Sequence, residues 1–466
     1  MSVPFDSPSV AAPVRTSDAQ ERLYAMVWRW HFFAALFVVP FALLLAATGG
    51  VYLFKPQIEE WLYAGLYNVP HASGSVDADA QLGAALAKFS GFKTVAYTPP
   101  PGDTRSALVR LQEAEGKQIT VAIDPRSGTV LGVIDEQHRA MQIVRDLHGK
   151  LLLGKAGQAI QELAASWAMV LLITGLYMWW PRRGSALRGT VVPRLATQGR
   201  TFWRDLHAVT GFWVSALLVF LVATGLPWSL VSGKVLNEIA GHVGKGNPEI
   251  GVGWDGGGST VVKSNPPGQG WAVDHAQHLA GAGHSHAAAG AAPLALARVV
   301  EIARTLPGIA PGFEIRFPVD AQGVFSVVTD SETDPEATAY VHLDQYTGAV
   351  VSDVRWPDFG PLSKAIALGV SLHEGRYFGL PNQLLGLAAC VGLVALVTAG
   401  IVMWWRRRPA GSLGAPPAPK DFRVGPGILA LAILLGLIMP LMATSLVLVL
   451  GIDWGANRWL RKAVAT

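Results

Sequence analysis

Four histidines stand at repeated offsets in this chain, and their spacing defines the chemistry to look for. His31 opens an apolar run with Thr48–Gly49 17 residues on, and His207 opens another with Thr224–Gly225 again 17 residues on. His148 and His373 each lie 31 residues before a tryptophan, Trp179 and Trp404 respectively. The runs that follow them close alike, as Leu176-Tyr177-Met178-Trp179-Trp180 and Ile401-Val402-Met403-Trp404-Trp405. The chain therefore reads as one unit used twice. His31 and His207 fall at one depth of a membrane and His148 and His373 at another, so the four sort into two pairs. Two neutral imidazoles opposed across a helix bundle can supply both axial ligands of a six-coordinate b-type haem, whose porphyrin fills the other four positions. The same residues could instead hold another metal or act as hydrogen-bonded residues at span ends. Spacing alone does not separate these roles.

Basic residues stand two or three positions from each histidine: Arg29, Arg204, Arg145 and Arg376. They are candidates for pairing with haem propionates, although Arg29 and Arg204 serve equally well as inner-face topology charges. Gly49, Gly50, Gly175, Gly225 and Gly400 lie on the same runs, where small residues admit either a flat macrocycle or a neighbouring helix. His275, His278, His284 and His286 form a separate group in a Gly/Ala-rich segment. Such a tract either binds Cu, Zn, Ni or Fe loosely or is a solvated linker. His71, His138, His242 and His342 have no repeat partner and receive no role.

The elements that must position these residues are membrane spans. Of 466 residues, 51% are hydrophobic and 15% charged, against roughly a quarter charged in soluble proteins. Five runs, Phe32–Phe54, Leu163–Pro181, Ala208–Ser232, Tyr377–Trp405 and Val424–Ile452, contain no charged residue. Each approaches or exceeds the roughly 20 residues that cross a bilayer. Arg15, Arg22 and Arg29 precede the first run, six arginines from Arg182 to Arg204 follow the second, and Arg406–Arg408 with Lys420 and Arg423 follow the fourth. Lys and Arg concentrate on the cytoplasmic side, so these segments are inside and the two long connections outside. A fifth crossing then conflicts with the rule, because it carries Arg458, Arg461 and Lys462 outward. The first run is span-length and is expected to stay as an uncleaved anchor.

The expected fold is a mainly α membrane protein, a bundle of about five spans in two repeats with two small α+β outer domains. The partition is a cytoplasmic arm over 1–26, span 1 over 27–55, an outer domain over 56–158 whose last helix carries His148, and span 2 over 159–181. A cytoplasmic loop over 182–203, span 3 over 204–232 and a second outer domain over 233–376 with the His-rich segment follow. Span 4 over 377–405, a loop over 406–424, span 5 over 425–452 and a tail over 453–466 complete the chain. Each outer domain holds a helical stretch (Asp79–Phe89; Leu294–Thr305) and closes with a hairpin about a D-x-x-[ST]-G turn, Asp124–Gly128 and Asp344–Gly348.

Several functions are excluded. The 37 basic and 33 acidic residues are too balanced for phosphate-driven nucleic-acid binding. The single cysteine, Cys390, rules out an internal disulfide, a Cys-ligated zinc or iron–sulfur centre and covalent haem attachment. There is no Walker A sequence and no HExxH, and Gly256-Gly257-Gly258 lacks the strand–helix setting of a dinucleotide site. The cytoplasmic loops are too short for a flavin or nicotinamide domain, so electrons must come from a separate cytoplasmic reductase or from membrane quinol.

Together, RWHFF at His31, IDPRSG, RDLHGKLLLG at His148, ITGLYMWWPRR, RDLHAVTGFW at His207, HLDQYTG, SLHEGRYFGLPNQ at His373 and TAGIVMWWRRR are specific. In them the chain resembles the PepSY-associated transmembrane family of bacterial inner-membrane proteins over almost the whole of residues 22–408. Within that family it is most similar to the di-haem siderophore reductases. The resemblance implies two PepSY-like periplasmic domains and two haem b groups, ligated by His31 with His207 and by His148 with His373. It also implies an oxidoreductase that passes electrons outward to a ferric siderophore. Two other expectations stand beside it: a PepSY-based regulatory or binding module that the spans merely anchor, and a metal carrier or sensor using the His-rich tract.

Overall fold

The computed structural model describes residues 18–71, 74–181, 188–242, 292–321, 323–329, 334–419 and 422–465. His275, His278, His284 and His286 lie outside the described residues.

The chain opens with α1 (Asp18–Tyr52), and α2 (Lys55–Leu62) and α3 (Ala64–Tyr67) lead to α4 (Ala78–Lys88). Four strands follow, β1 (Lys93–Thr98), β2 (Ala107–Gln112), β3 (Gln118–Ile123) and β4 (Val130–Asp135), before α5 (Ala140–Lys150) and α6 (Gly154–Trp179). The second half begins with α7 (Arg200–Gly225), a 3-10 turn (Leu226–Trp228) and α8 (Ser232–His242). It continues through α9 (Leu296–Thr305), β5 (Glu314–Arg316), β6 (Val324–Thr329), β7 (Ala339–Asp344) and β8 (Val350–Arg355) to α10 (Pro361–His373) and α11 (Leu380–Arg407). Two helices, α12 (Pro426–Ile438) and α13 (Pro440–Ala465), close the chain.

Among the described residues four helices, α1, α6, α7 with its 3-10 extension, and α11, are long and apolar enough to cross a membrane. Each packs on two of the others, α1 on α6 and α11 and α7 on the same two, which makes a square bundle. Buried alanines (Ala34, Ala42, Ala46, Ala164, Ala389, Ala399) let the backbones approach closely.

The fifth span is corrected. At Met439 the backbone leaves the helical region (φ −127°, ψ 76°), and Pro440 has no N–H to continue the ladder. The resulting α12 has 13 residues, short of the roughly 20 a crossing needs. It packs against α13, with Gly436 pressed close to Ala443. Met439 and Met442 are buried at this elbow, and Trp167 Nε1 of α6 donates to Ser445 Oγ at 3.0 Å. Among the described residues the run therefore gives two shorter apolar helices, Pro426–Ile438 and Pro440–Ile452, in place of one long span.

The sheet region also differs from two separate domains. All eight strands form one antiparallel sheet in the order β4-β3-β2-β1-β5-β6-β7-β8. The halves join where Ala96 faces Arg316 and Tyr97 faces Ile315. An unpaired edge strand exposes a row of N–H and C=O groups, and β1 and β5 remove each other's edge. One core, including Val109, Leu111, Val121, Val299, Ile315, Val327 and Val341, draws on both halves. The Asp79 carboxylate of α4 accepts from the N–H groups of Leu296 (2.8 Å) and Ala297 (2.9 Å), capping α9 from the other half. The expected helices and hairpins are present, and Gly128 and Gly348 take the left-handed conformation that each turn requires, at φ 72° and 74°.

Candidate functional site

The bundle encloses a cavity of about 1440 Å³ lined by all four repeated histidines. A single small-molecule site occupies roughly 300–1,000 Å³. This cavity is larger, and it runs from Trp28, Trp203 and Arg407 at one end to Tyr52, His148 and His373 at the other. His31 on α1 and His207 on α7 meet with ring centres 6.3 Å apart and planes at 89°. His148, in the last turn of α5, and His373, which ends α10, interact at the far level. Burial pushes both imidazoles down to about 4, helped for His148 by the neighbouring His373, so both are neutral near pH 7. His31 thus neighbours His207 and His148 neighbours His373 along one cavity.

How each ring is seated decides its chemistry. Thr174 Oγ1 donates its one proton to the Val170 carbonyl (2.6 Å). Toward His31 Nδ1, 2.9 Å away, the hydroxyl can only accept. Thr48 is committed in the same way to the Leu44 carbonyl (2.7 Å) and accepts from His148 Nδ1 at 2.8 Å. Thr224 donates to the Phe220 carbonyl (2.8 Å) and accepts from His373 Nδ1 at 2.9 Å. His207 Nδ1 donates to the Leu396 carbonyl at 2.9 Å. All four Nδ1 atoms therefore carry a proton, and in a neutral ring that leaves Nε2 with a free lone pair. This is the tautomer that ligates metals through Nε2.

The glycines explain how the rings come so close to the helices. A Cβ at Gly175, Gly49 or Gly400 would stand 3.3 Å from Cε1 of His31, His148 or His207. At Gly225 the distance to His373 is 3.8 Å. Gly50 faces Leu387 and Cys390 instead. The helix ends that bear His148 and His373 are pinned by amides from the following spans. Gln161 Nε2 donates to the His148 carbonyl (2.6 Å), and Asn382 Nδ2 to the Leu372 carbonyl (2.9 Å).

The arginines divide. Arg145 and Arg204 line the cavity. Arg204 also shares the buried Asp205 carboxylate with Arg194, at 2.9 and 2.6 Å. Arg29 donates to the Pro416 carbonyl and lies over the Phe33 ring, and Arg376 pairs with Glu374 at 2.8 Å. Neither is among the lining residues. Arg200, Arg406 and Arg407 do line the cavity, and the sequence reading missed them as site residues because span-end charges all look alike there. It also missed what Thr48 and Thr224 do, although their fixed spacing was visible.

His342, left without a role, donates or accepts at Ser326 Oγ (2.7 Å) inside the sheet, and His138 lies 3.1 Å from Asp135. Among the described residues no group of three or more His, Cys, Asp or Glu side chains could hold a metal ion. The site thus offers two opposed imidazoles at each of two levels. No curated protein matches the chain. The model of the PepSY-associated TM region matches it over residues 28–407, nearly all of the bundle and the sheet, and the chain belongs to that family.

Proposed function

We propose that this membrane protein is a two-haem electron conduit, an oxidoreductase that takes electrons from a cytoplasmic reductase or quinol and delivers them to a ferric siderophore outside. One observation carries the reading: four half-buried histidines line one cavity as two neighbouring pairs, each ring with Nδ1 held and Nε2 free. The spacing supports it. Metal–imidazole bonds of about 2 Å on either side of one iron, with about 1.1 Å more from each nitrogen to its ring centre, would separate the ring centres by about 6.2 Å. His31 and His207 stand 6.3 Å apart. A bare ion would need more protein donors than two imidazoles, whereas a porphyrin brings its own four.

In this reading His31 and His207 hold the inner haem b and His148 and His373 the outer one, and haem when bound supplies one-electron transfer. Small residues bring the rings against the helix backbones. Arg200, Arg204, Arg406 and Arg407 gather at the His31–His207 end. By the positive-inside rule that end faces the cytoplasm of the bacterial inner membrane and the sheet faces the periplasm. One-electron reduction loosens a hard-oxygen chelate, because Fe(II) is softer and less charged than Fe(III).

A reduced-minus-oxidised optical spectrum of the purified full chain, with haem quantified, tests the reading. Two b-type haems per chain are expected. His31→Ala or His207→Ala should remove one and spare the other. A protein without a chromophore overturns the proposal and leaves the anchored binding module.

A further inference from the structure

We propose that Thr48, Thr174 and Thr224 are positioning residues that lock the ligating tautomer of His148, His31 and His373, and that Ala399 makes the His207 seat different from the other three. The inference rests on the two-haem reading above and goes beyond it, because it assigns to each haem a distinct hydrogen-bonded support.

The seats share one design. A Thr–Gly step on a span receives a ring from a neighbouring helix of the same half: the glycine admits the ring edge and the hydroxyl accepts from Nδ1. Each hydroxyl is already spent on the carbonyl four residues back, at 2.6–2.8 Å. It therefore cannot donate to the ring and enforces the Nδ1–H form. Without an acceptor, a neutral imidazole is free to place its proton on Nε2 and lose the ligand lone pair. In the fourth seat, aligned on the Trp–Trp pair, the residue before the glycine is Ala399. The hydroxyl of that half is on Thr398, one residue earlier and so about 100° round the helix. His207 is left with the Leu396 carbonyl alone. The corresponding carbonyls of Leu171 and Leu221 also interact with His31 and His373, behind their threonines. For His148 Thr48 is the acceptor that the structure gives.

This orders the seats. Removing the Thr48 hydroxyl strips His148 of that acceptor, whereas removing Thr174 or Thr224 turns those seats into the His207 type. The test uses full-length protein in detergent, with haem content, potentiometric titration and low-temperature EPR of each haem. Thr48→Val should weaken retention of the outer haem about 10–100-fold, the usual cost of losing a supporting hydrogen bond to a metal-ligating histidine. Thr48→Ser should restore it. Thr174→Val and Thr224→Val should give smaller shifts, each at its own haem only. Ala399→Ser, which adds the missing hydroxyl, should shift the inner potential and leave the outer one unchanged. The proposal is overturned if the three valine variants keep wild-type haem content, potentials and EPR. It is equally overturned if Thr48→Ser is as defective as Thr48→Val, because the effect is then packing. Should a valine variant fail to fold, Ala399→Ser decides, and no change at the inner haem counts against the proposal. A wild-type protein without haem overturns the underlying reading, a result distinct from all of these.

Discussion

The two halves of the chain meet in opposite ways in the sheet and in the bundle. In the sheet they merge. Strands β1 and β5 pair, α4 caps α9, and Val109, Val299 and Val341 share one core. In the bundle each half keeps its own histidine seats: His31 rests on α6, His148 on α1, His207 on α11 and His373 on α7. The halves pack there helix against helix, α1 on α11 and α6 on α7, and bring His31 near His207 and His148 near His373 across the cavity. Apolar burial rewards merging, since a larger shared core removes more surface from water. A ligand pair instead needs two independently rigid supports set at a fixed separation.

Three kinds of substitution probe that contrast. The largest effect is expected at the seam of the sheet. Ile315→Ala removes a fully buried side chain from the shared core, and should cost about 2–5 kcal/mol. Thermal unfolding of the full chain should then show both halves of the sheet lost in one transition. Loss of the second half alone would mean that the halves fold separately after all.

Glycine substitutions in the bundle should act on single seats. Gly49→Ala, Gly175→Ala and Gly400→Ala each set a methyl 3.3 Å from one ring, an overpacking of about 1–3 kcal/mol. In the two-haem reading each should lower haem content at its own level, that of His148 for Gly49→Ala and that of His31 and His207 for the other two. Gly225→Ala, at an ordinary 3.8 Å, should be the mildest. Equal loss at both levels from any one of them would show the seats to be coupled.

The smallest effect lies in the turns that follow the outer histidines. Both halves place a glycine at positive φ six residues after the histidine, Gly154 (59°) and Gly379 (58°); ahead of it the second half uses Gly375 at positive φ, whereas the first half uses Leu151 and Leu152, at 51° and 56°. A left-handed non-glycine residue costs about 1–2 kcal/mol. Leu152 is mostly exposed, so Leu152→Gly should raise the midpoint of thermal unfolding modestly, by the equivalent of about 1 kcal/mol. A fall would mean that the leucine side chain contributes more than its backbone strain costs.

Much of the site was legible because its signals are local. The offsets from His31 to Thr48 and from His207 to Thr224 mark two equal lengths of helix, and the D-x-x-[ST]-G turns need only their own few residues. Other features were hidden. Arg376 is close to His373 in the chain, yet it pairs with Glu374, and nothing in its spacing separates that from facing the cavity. Pro440 in a charge-free run is compatible with a kinked crossing or with an elbow. The packing of Gly436 against Ala443 and the bond from Trp167 to Ser445 decide for the elbow.

The sequence by itself determined the long apolar runs that become α1, α6, α7 and α11, the repeated offsets of the histidines and the hairpin turns. These follow from residue type and short-range periodicity, which act along a single element. Only the tertiary structure decided that two outer units are one sheet, that each histidine is seated within its own half, and which arginines reach the cavity. Strand-edge pairing and side-chain partners depend on groups distant in the chain, and their energies exist only once the elements have packed.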